Sequence, residues 1–376
     1  MTAVTAMRAL SALGQSVWLD HLDRRTTRSG ELARMVHDGL RGVTSNPTIF
    51  ERALTGGTAY DAGLRELADS AASDRGIFET LAVQDVQEAA DVLRVVHRET
   101  DGADGFVSIE VSPELARNAT ATAAEARRLW QFVNRPNVMI KIPGTRESWP
   151  AIERCLRDGI NINVTLLFSL EHYEAVAEAY LAALEARAGA GLPIDQIASA
   201  ASLFVSRVDT EVDRRIDGAR VPPAALRGRT AIANAQLVYA RFLEISDSPR
   251  WRALEARGAR PQRPLWASTG TKDPAYSDIR YVQALIGPRT ITTVPPETLR
   301  LFEDHGVAEL SLPGDTFRAR RTMNALASAG IRFDDVNLLL EEEALAKFER
   351  SLNSVLAVIR EKRAALSARP APHLQP

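Results

Sequence analysis

Short apolar runs alternate with longer stretches of helical periodicity along this chain. Eight runs stand out, at residues 17–20, 42–46, 106–111, 138–142, 162–167, 197–205, 265–268 and 290–294. Most are apolar at successive positions rather than at every second one. That is the pattern of strands packed on both faces, as in a parallel sheet covered by helices. Eight such runs separated by helical segments predict a (β/α)8 barrel of the TIM type with additional helices. The alternative is an open doubly wound sheet. It lacks support because no G-x-G-x-x-G follows the first run and no P-loop occurs in the sequence.

Two regions exceed a minimal barrel. Residues 210–263 are helix-rich and too long for an ordinary connection, and residues 298–366 are also helical in pattern. The whole of 1–376 therefore reads as one barrel domain with a leading helix within 1–15, a helical insertion, C-terminal helices and a disordered tail at 370–376. The stretch 341–366 reads as one charged amphipathic helix, placed to close over a barrel face or to join a subunit interface. Its opening Glu341-Glu342-Glu343 is expected to be a first helical turn, where the macrodipole favours negative charge.

Composition narrows the field. A formal net charge of −2, with 46 basic and 48 acidic residues, gives no electrostatic reason to expect nucleic acid or an anionic membrane. No run approaches the roughly 20 apolar residues that span a bilayer, and the N-terminal stretch has no signal-peptide core. Cys155 is the single cysteine, which excludes an intrachain disulfide and fits a reducing, cytoplasmic setting. It falls in an apparent helix, where a buried structural thiol is expected. The six histidines show no ligand spacing, so no metal is expected, and His21 is expected to point away from the barrel interior.

Lysine usage changes the picture. Only Lys141, Lys272, Lys347 and Lys362 are lysines among the 46 basic residues. Lys141 interrupts the apolar run Val138-Met139-Ile140-Lys141-Ile142-Pro143. Burial of an amine favours its neutral form, and a neutral amine attacks carbonyls as no guanidinium can. Lys347 and Lys362 sit on the charged helix, where arginine would serve equally.

A barrel also gathers its C-terminal strand ends at one mouth. Those ends carry Asp20, Asn46, Glu110, Lys141, Asn163 with Thr165, Ser202 followed by Arg207, and Ser268 with Lys272. Each has a plain alternative role. Asp20 or Glu110 would serve as a cap or ion-pair partner, Asn46 before Pro47 as a turn residue, Arg207 as partner of Asp209 or Glu211, and Lys272 as a surface charge beside Asp273. Together they fit a Schiff-base reaction on a phosphorylated ketose. Lys141 is the nucleophile, Asp20 and Glu110 divide the proton transfers, Asn46, Asn163 and Thr165 hold hydroxyls or water, and the far end receives phosphate.

At these motifs the chain resembles the transaldolase family, in its longer actinobacterial form, over nearly its whole length. The resemblance is carried by Val17-Trp18-Leu19-Asp20, Gly42-Val43-Thr44-Ser45-Asn46-Pro47, Val107-Ser108-Ile109-Glu110-Val111 and Ile140-Lys141-Ile142-Pro143-Gly144-Thr145. It continues in Asn163-Val164-Thr165-Leu166-Leu167-Phe168-Ser169, Ser202 to Arg207 and Trp266-Ala267-Ser268-Thr269-Gly270. It implies Lys141 as the Schiff-base lysine, Asp20 as the residue moving the C4 hydroxyl proton, and Glu110 as the acid/base acting through a water. Asn46, Asn163 and Thr165 match orienting positions, and Ser202, Arg207 and Ser268 match substrate or phosphate contacts. At Lys272 many members place an arginine nearby instead.

The implied reaction moves a dihydroxyacetone unit from sedoheptulose 7-phosphate to glyceraldehyde 3-phosphate, without metal or organic cofactor, in a monomer or homodimer. It yields erythrose 4-phosphate and fructose 6-phosphate. Two departures appear: Ser45 where a second threonine is common, and Gly144 where alanine is common, which is expected to loosen the turn after the lysine strand. The rival within the fold is a fructose 6-phosphate aldolase-type lyase. Those relatives are shorter and tend to have glutamine at the position of Glu110 and tyrosine at that of Phe204. The rival of another class, a non-catalytic sugar-phosphate binding barrel, conflicts with the joint presence of Asp20, Glu110 and Lys141.

Overall fold

A computed structural model describes residues 5–68, 70–218 and 224–367. Eight strands close into a barrel in chain order. They are β1 (Gln15–Leu19), β2 (Gly42–Thr44), β3 (Phe106–Glu110), β4 (Val138–Pro143), β5 (Ile162–Leu167), β6 (Ser199–Phe204), β7 (Arg263–Ala267) and β8 (Thr290–Val294). Every neighbouring pair is parallel, and β8 returns to β1 in register from Gln15↔Thr290 to Leu19↔Val294.

The apolar pattern underestimates the starts of β1 and β7, because each begins on a polar residue. Gln15 donates from Nε2 to the Leu285 carbonyl at 2.7 Å and to Thr290 Oγ1 at 2.9 Å. Arg263 donates to Ser16 Oγ at 2.6 Å and to the Thr290 carbonyl at 2.7 Å. These groups knit the N-terminal floor of the barrel. Asp104 is held there by Arg263 at 3.2 Å, by Trp18 Nε1 at 3.1 Å and by the Ser16 hydroxyl. Above the floor Trp18 fills the interior opposite Gly42, where a Cβ would lie 2.5 Å from the indole ring. Glycine is the residue that fits this close approach.

Helices outside the barrel fix its C-terminal mouth. Between β6 and β7 come Ser206–Asp217, Thr230–Asp247 and Pro249–Glu255. Asp209 and Asp213, buried on the first of these, accept from the backbone amides of Ala231 at 2.8 Å and Gly228 at 2.9 Å. The two carboxylates thereby tie the insertion to the helix that follows β6.

After β8 the chain forms Pro296–His305, Thr316–Ser328 and a 35-residue helix, Phe333–Ser367. This last helix begins well before Glu341. Its first turn carries Asp334 and Asp335, and the Glu341-Glu342-Glu343 run lies inside it, not at its N-terminus. The helix packs against the Pro47–Thr55 and Ser206–Asp217 helices and β5, across the barrel mouth. Val355 and Ile359 anchor its second half in an apolar cluster with Leu54, Tyr60, Leu64 and Ile77.

The leading helix is Ala6–Ala12, capped by the Thr5 hydroxyl, which accepts from Arg8 N at 3.2 Å. The tail expected at 370–376 lies outside the described residues. Cys155 is buried on the helix Trp149–Arg157, and burial pushes its thiol up to about 12. No helix among the described residues is long and apolar enough to cross a membrane, and none of their His, Cys, Asp and Glu side chains form a group of three or more placed to hold a metal ion.

Candidate active site

Lys141 points from the middle of β4 into the barrel mouth and is 4% exposed. Its register partner across the β3–β4 ladder is Glu110, so both side chains share one face. Lys141 Nζ lies 3.5 Å from Glu110 Oε2 and donates to the Ser45 carbonyl at 3.3 Å. The amine is therefore held from two sides by long contacts, and neither occupies it as a short ion pair would.

The lysine lines a cavity of about 210 Å³ together with Asp20, Asn46, Thr165, Ser202 and Arg207. Asp20 follows the last residue of β1 and extends the ladder by donating its amide to the Val294 carbonyl at 2.9 Å. Burial raises the Asp20 carboxyl above the ordinary carboxylate range, against the pull of Lys141 and Arg207. Glu110 is raised for the same first reason, opposed chiefly by Lys141. Both carboxyls thus hold their protons to higher pH than a free carboxyl.

His21 lines the same cavity, contrary to the expectation that it would face away. The strand ends at Leu19, so the alternation that would have turned His21 outward no longer applies.

Other predicted residues divide by what their polar atoms already do. Asn46 caps the Pro47–Thr55 helix, its Oδ1 accepting from Ile49 N at 3.0 Å, and also borders the cavity. The turn role and the site role therefore coexist. Thr165 presents a buried hydroxyl with no protein partner. Asn163 is the β5 partner of Lys141 in register but does not line the cavity. It links strands beneath the lysine, donating to Ser108 Oγ at 3.0 Å and accepting from the Ser202 hydroxyl at 2.6 Å. Ser268 adopts a left-handed φ of 55° and shares a hydrogen bond of 3.0 Å with Ser206 Oγ, a residue the sequence did not mark.

Positive charge collects at the far end of the cavity. Arg207 stacks over Phe204, its Cζ 5.0 Å from the ring centroid, and makes no ion pair with Asp209 or Glu211. Asp209 is taken by Ala231 N and Tyr281, and Glu211 by Arg214 and Arg215. Lys272 is not paired with Asp273 either, since Asp273 binds Arg227 at 3.1 Å.

Arg52 and Lys347 join Arg207 and Lys272 in the lining, and among the described residues none of these four cations makes an ion pair. Desolvation lowers the Lys272 and Lys347 amines, and the proximity of Arg207 adds to it. Lys347 and Arg52 escape sequence reasoning because each sits on a helix whose charged faces look alike in one dimension. The scarcity of lysine is the one signal for Lys347 in the sequence, and Lys362, which pairs with Asp61 away from the cavity, shares it.

The turn after β4 is tight rather than loose. A Cβ at Gly144 would lie 2.3 Å from Leu167 Cδ2 and 3.1 Å from Val164 Cγ1. Leu167 reaches this position because β5 bulges between Val164 and Leu167, with Leu166 at a φ of 59°. Gly144 and the bulge are two halves of one fit.

Comparison with known proteins agrees with this geometry. The family model "Transaldolase/Fructose-6-phosphate aldolase" matches residues 17–359. A transaldolase of Thermobifida fusca is 49% identical over 366 residues, covering 96% of this chain and 98% of that protein. One of Saccharopolyspora erythraea is 47% identical over 364 residues, covering 96% and 99%. One of Mycolicibacterium smegmatis is 45% identical over 353 residues, covering 93% and 95%.

Proposed function

The chain belongs to the transaldolase/fructose-6-phosphate aldolase family and is a transferase with transaldolase activity on sugar phosphates; we propose that Lys141 carries the reaction as a Schiff base. The observation that carries this reading is the buried Lys141 amine, 3.5 Å from Glu110 and open to a cavity that also holds Asp20.

In the proposed sequence the Lys141 nitrogen adds to the ketose C2 carbonyl, the C=O π pair moves to oxygen, and a proton passes from nitrogen to that oxygen to give the carbinolamine. Glu110, acting through a water, protonates the carbinolamine hydroxyl, which leaves as water while the nitrogen lone pair forms the C=N bond. Asp20 takes the proton of the C4 hydroxyl, the C3–C4 bond breaks, and its electron pair moves into the iminium. The aldose product leaves, and an acceptor aldose is attacked by the same carbon in reverse order. Thr165 and Asn46 orient hydroxyls at the reacting carbons. Arg207 and Lys272, with Ser268 beside them, receive the phosphate.

Sedoheptulose 7-phosphate as donor and glyceraldehyde 3-phosphate as acceptor, in the pentose phosphate pathway, are the substrates we assign. The cytoplasm is the compartment that suits the single buried thiol.

Borohydride reduction in the presence of fructose 6-phosphate, followed by peptide mapping, is expected to trap a covalent adduct on Lys141, and an adduct on Lys272 would refute the assignment. Lys141→Arg is expected to keep the fold and lose turnover. Omitting the acceptor aldehyde separates transferase from lyase: rapid release of free dihydroxyacetone from fructose 6-phosphate would favour the lyase.

A further inference from the structure

Glu110 does not line the cavity that contains Lys141, Asp20 and the four cations; it lines another. This second cavity, of about 50 Å³, lies behind β3, between it and the helices Asp74–Glu99 and Ala119–Val133. Its lining takes Glu110, Ser45 and Asn46 from the barrel side and the partly exposed Arg75, Glu79 and Glu125 from the helices, where Arg128 bridges Glu79 and Glu125 and Arg75 pairs with Glu114. Phe78, Ala82 and Leu129 supply apolar walls. Asn46 is the residue common to both linings, and the 3.5 Å contact from Lys141 Nζ to Glu110 Oε2 joins a lining residue of one cavity to one of the other.

The Glu110 side chain is 3% exposed, and both its oxygens are buried without a protein hydrogen-bond partner. Such a group is costly unless water reaches it. A volume of about 50 Å³ admits water, since holding one molecule needs roughly 10–15 Å³.

We propose that this cavity is a water chamber for Glu110, open to solvent at the Arg75–Glu79–Glu125 end and separate from the substrate mouth. The inference rests on the Schiff-base reading. When the carbinolamine dehydrates, the Glu110 carboxyl proton goes to the leaving hydroxyl. The C–O bond breaks, its electron pair leaves with the new water, and Glu110 is left as carboxylate. On hydrolysis a water adds to the iminium carbon, the C=N electron pair returns to nitrogen, and Glu110 recovers the proton. One water is expelled and one consumed in each cycle while a sugar phosphate occupies the mouth. The chamber gives that water, and the proton of Glu110, a way in and out that the substrate does not block.

The test is exchange of the C2 carbonyl oxygen of oxygen-18-labelled fructose 6-phosphate with solvent, which reads carbinolamine dehydration directly. Two variants narrow the chamber without touching the substrate cavity: Ala82→Leu and, at a half-buried position that tolerates bulk more readily, Phe78→Trp. Exchange is expected to slow about tenfold, below the roughly 10²–10⁴ that a whole proton relay contributes, while the KM for fructose 6-phosphate stays within about twofold of the native value. Native exchange rates in either variant with an unchanged melting temperature, or a KM that rises in step with the loss, would overturn the proposal. Borohydride trapping on the same preparations separates the two readings. Failure to label Lys141 in the native enzyme defeats the Schiff base itself, whereas a labelled Lys141 with unaltered exchange in the variants defeats only the chamber.

Discussion

At the floor of the barrel Asp104 accepts from Arg263, Trp18 and Ser16, and Arg263 in turn donates to Ser16 and the Thr290 carbonyl. At the mouth neither Glu110 oxygen accepts a short hydrogen bond, the Thr44 and Thr165 hydroxyls lack partners, and Arg52, Arg207, Lys272 and Lys347 face one cavity in which Asp20 is the acidic side chain and forms no ion pair with them. The strands are the same ones, and only the end differs. The floor is cross-linked by an ion pair and several hydrogen bonds, although Gln15 Oε1 and Arg263 Nε stay unpartnered there, while the mouth gathers unpartnered hydroxyls, carboxyl oxygens and cations around one cavity. The cost of the second arrangement is carried by the first, together with the apolar layer around Trp18.

That contrast can be broken from either end. Glu110→Gln replaces the buried, poorly partnered carboxyl beside Lys141 with a neutral amide. We expect turnover to fall by roughly 10²–10⁴ with a melting temperature equal to or above the native one, read by steady-state kinetics alongside thermal unfolding. Asp104→Ala at the floor should do the reverse. It leaves Arg263 without its carboxylate and is expected to cost about 3 kcal/mol in denaturant unfolding, with kcat of the folded fraction unchanged. A floor variant that loses turnover while keeping its stability would refute the division of labour.

A smaller effect sharpens the comparison through pH. Burial raises the Asp209 carboxyl to about 6 from 3.8, so the folded state binds a proton that the unfolded state releases. Stability from this group is therefore gained as pH falls through 6 towards 4, and is absent above both values. Its full size is of the order of 3 kcal/mol. Asp209→Asn retains acceptors and donors for Ala231 N and the Tyr281 hydroxyl. It is expected to flatten the stability profile between pH 4 and 6, measured by urea unfolding at each pH.

The sequence revealed the barrel because strands buried on both faces leave apolar runs, and it singled out Lys141 because a lysine interrupts such a run, with an ion pair to Glu110 as its plain alternative role. Asp20 and Glu110 were legible once the strand ends were taken to converge. What stayed hidden depended on the third dimension. Lys347 and Arg52 enter the site by the direction in which helices pack over the mouth, which helical periodicity does not encode. Asn163 points inward as its strand requires, yet one level too deep to border the cavity, and depth along a barrel axis is not written in alternation. The fit of Gly144 to Leu167 joins residues on two strands, and neither residue announces it alone.

The long helix Phe333–Ser367 gives the molecule a property in time as well as in space. Its Lys347 and Phe348 form a wall of the substrate cavity, and they follow all eight strands in the chain. During synthesis the barrel and its reactive lysine emerge first, and the wall is added only when this helix has left the ribosome and docked. Until then Lys141 stands in a pocket with one side missing. A chain interrupted before this helix would carry Lys141 without the wall that Lys347 and Phe348 form.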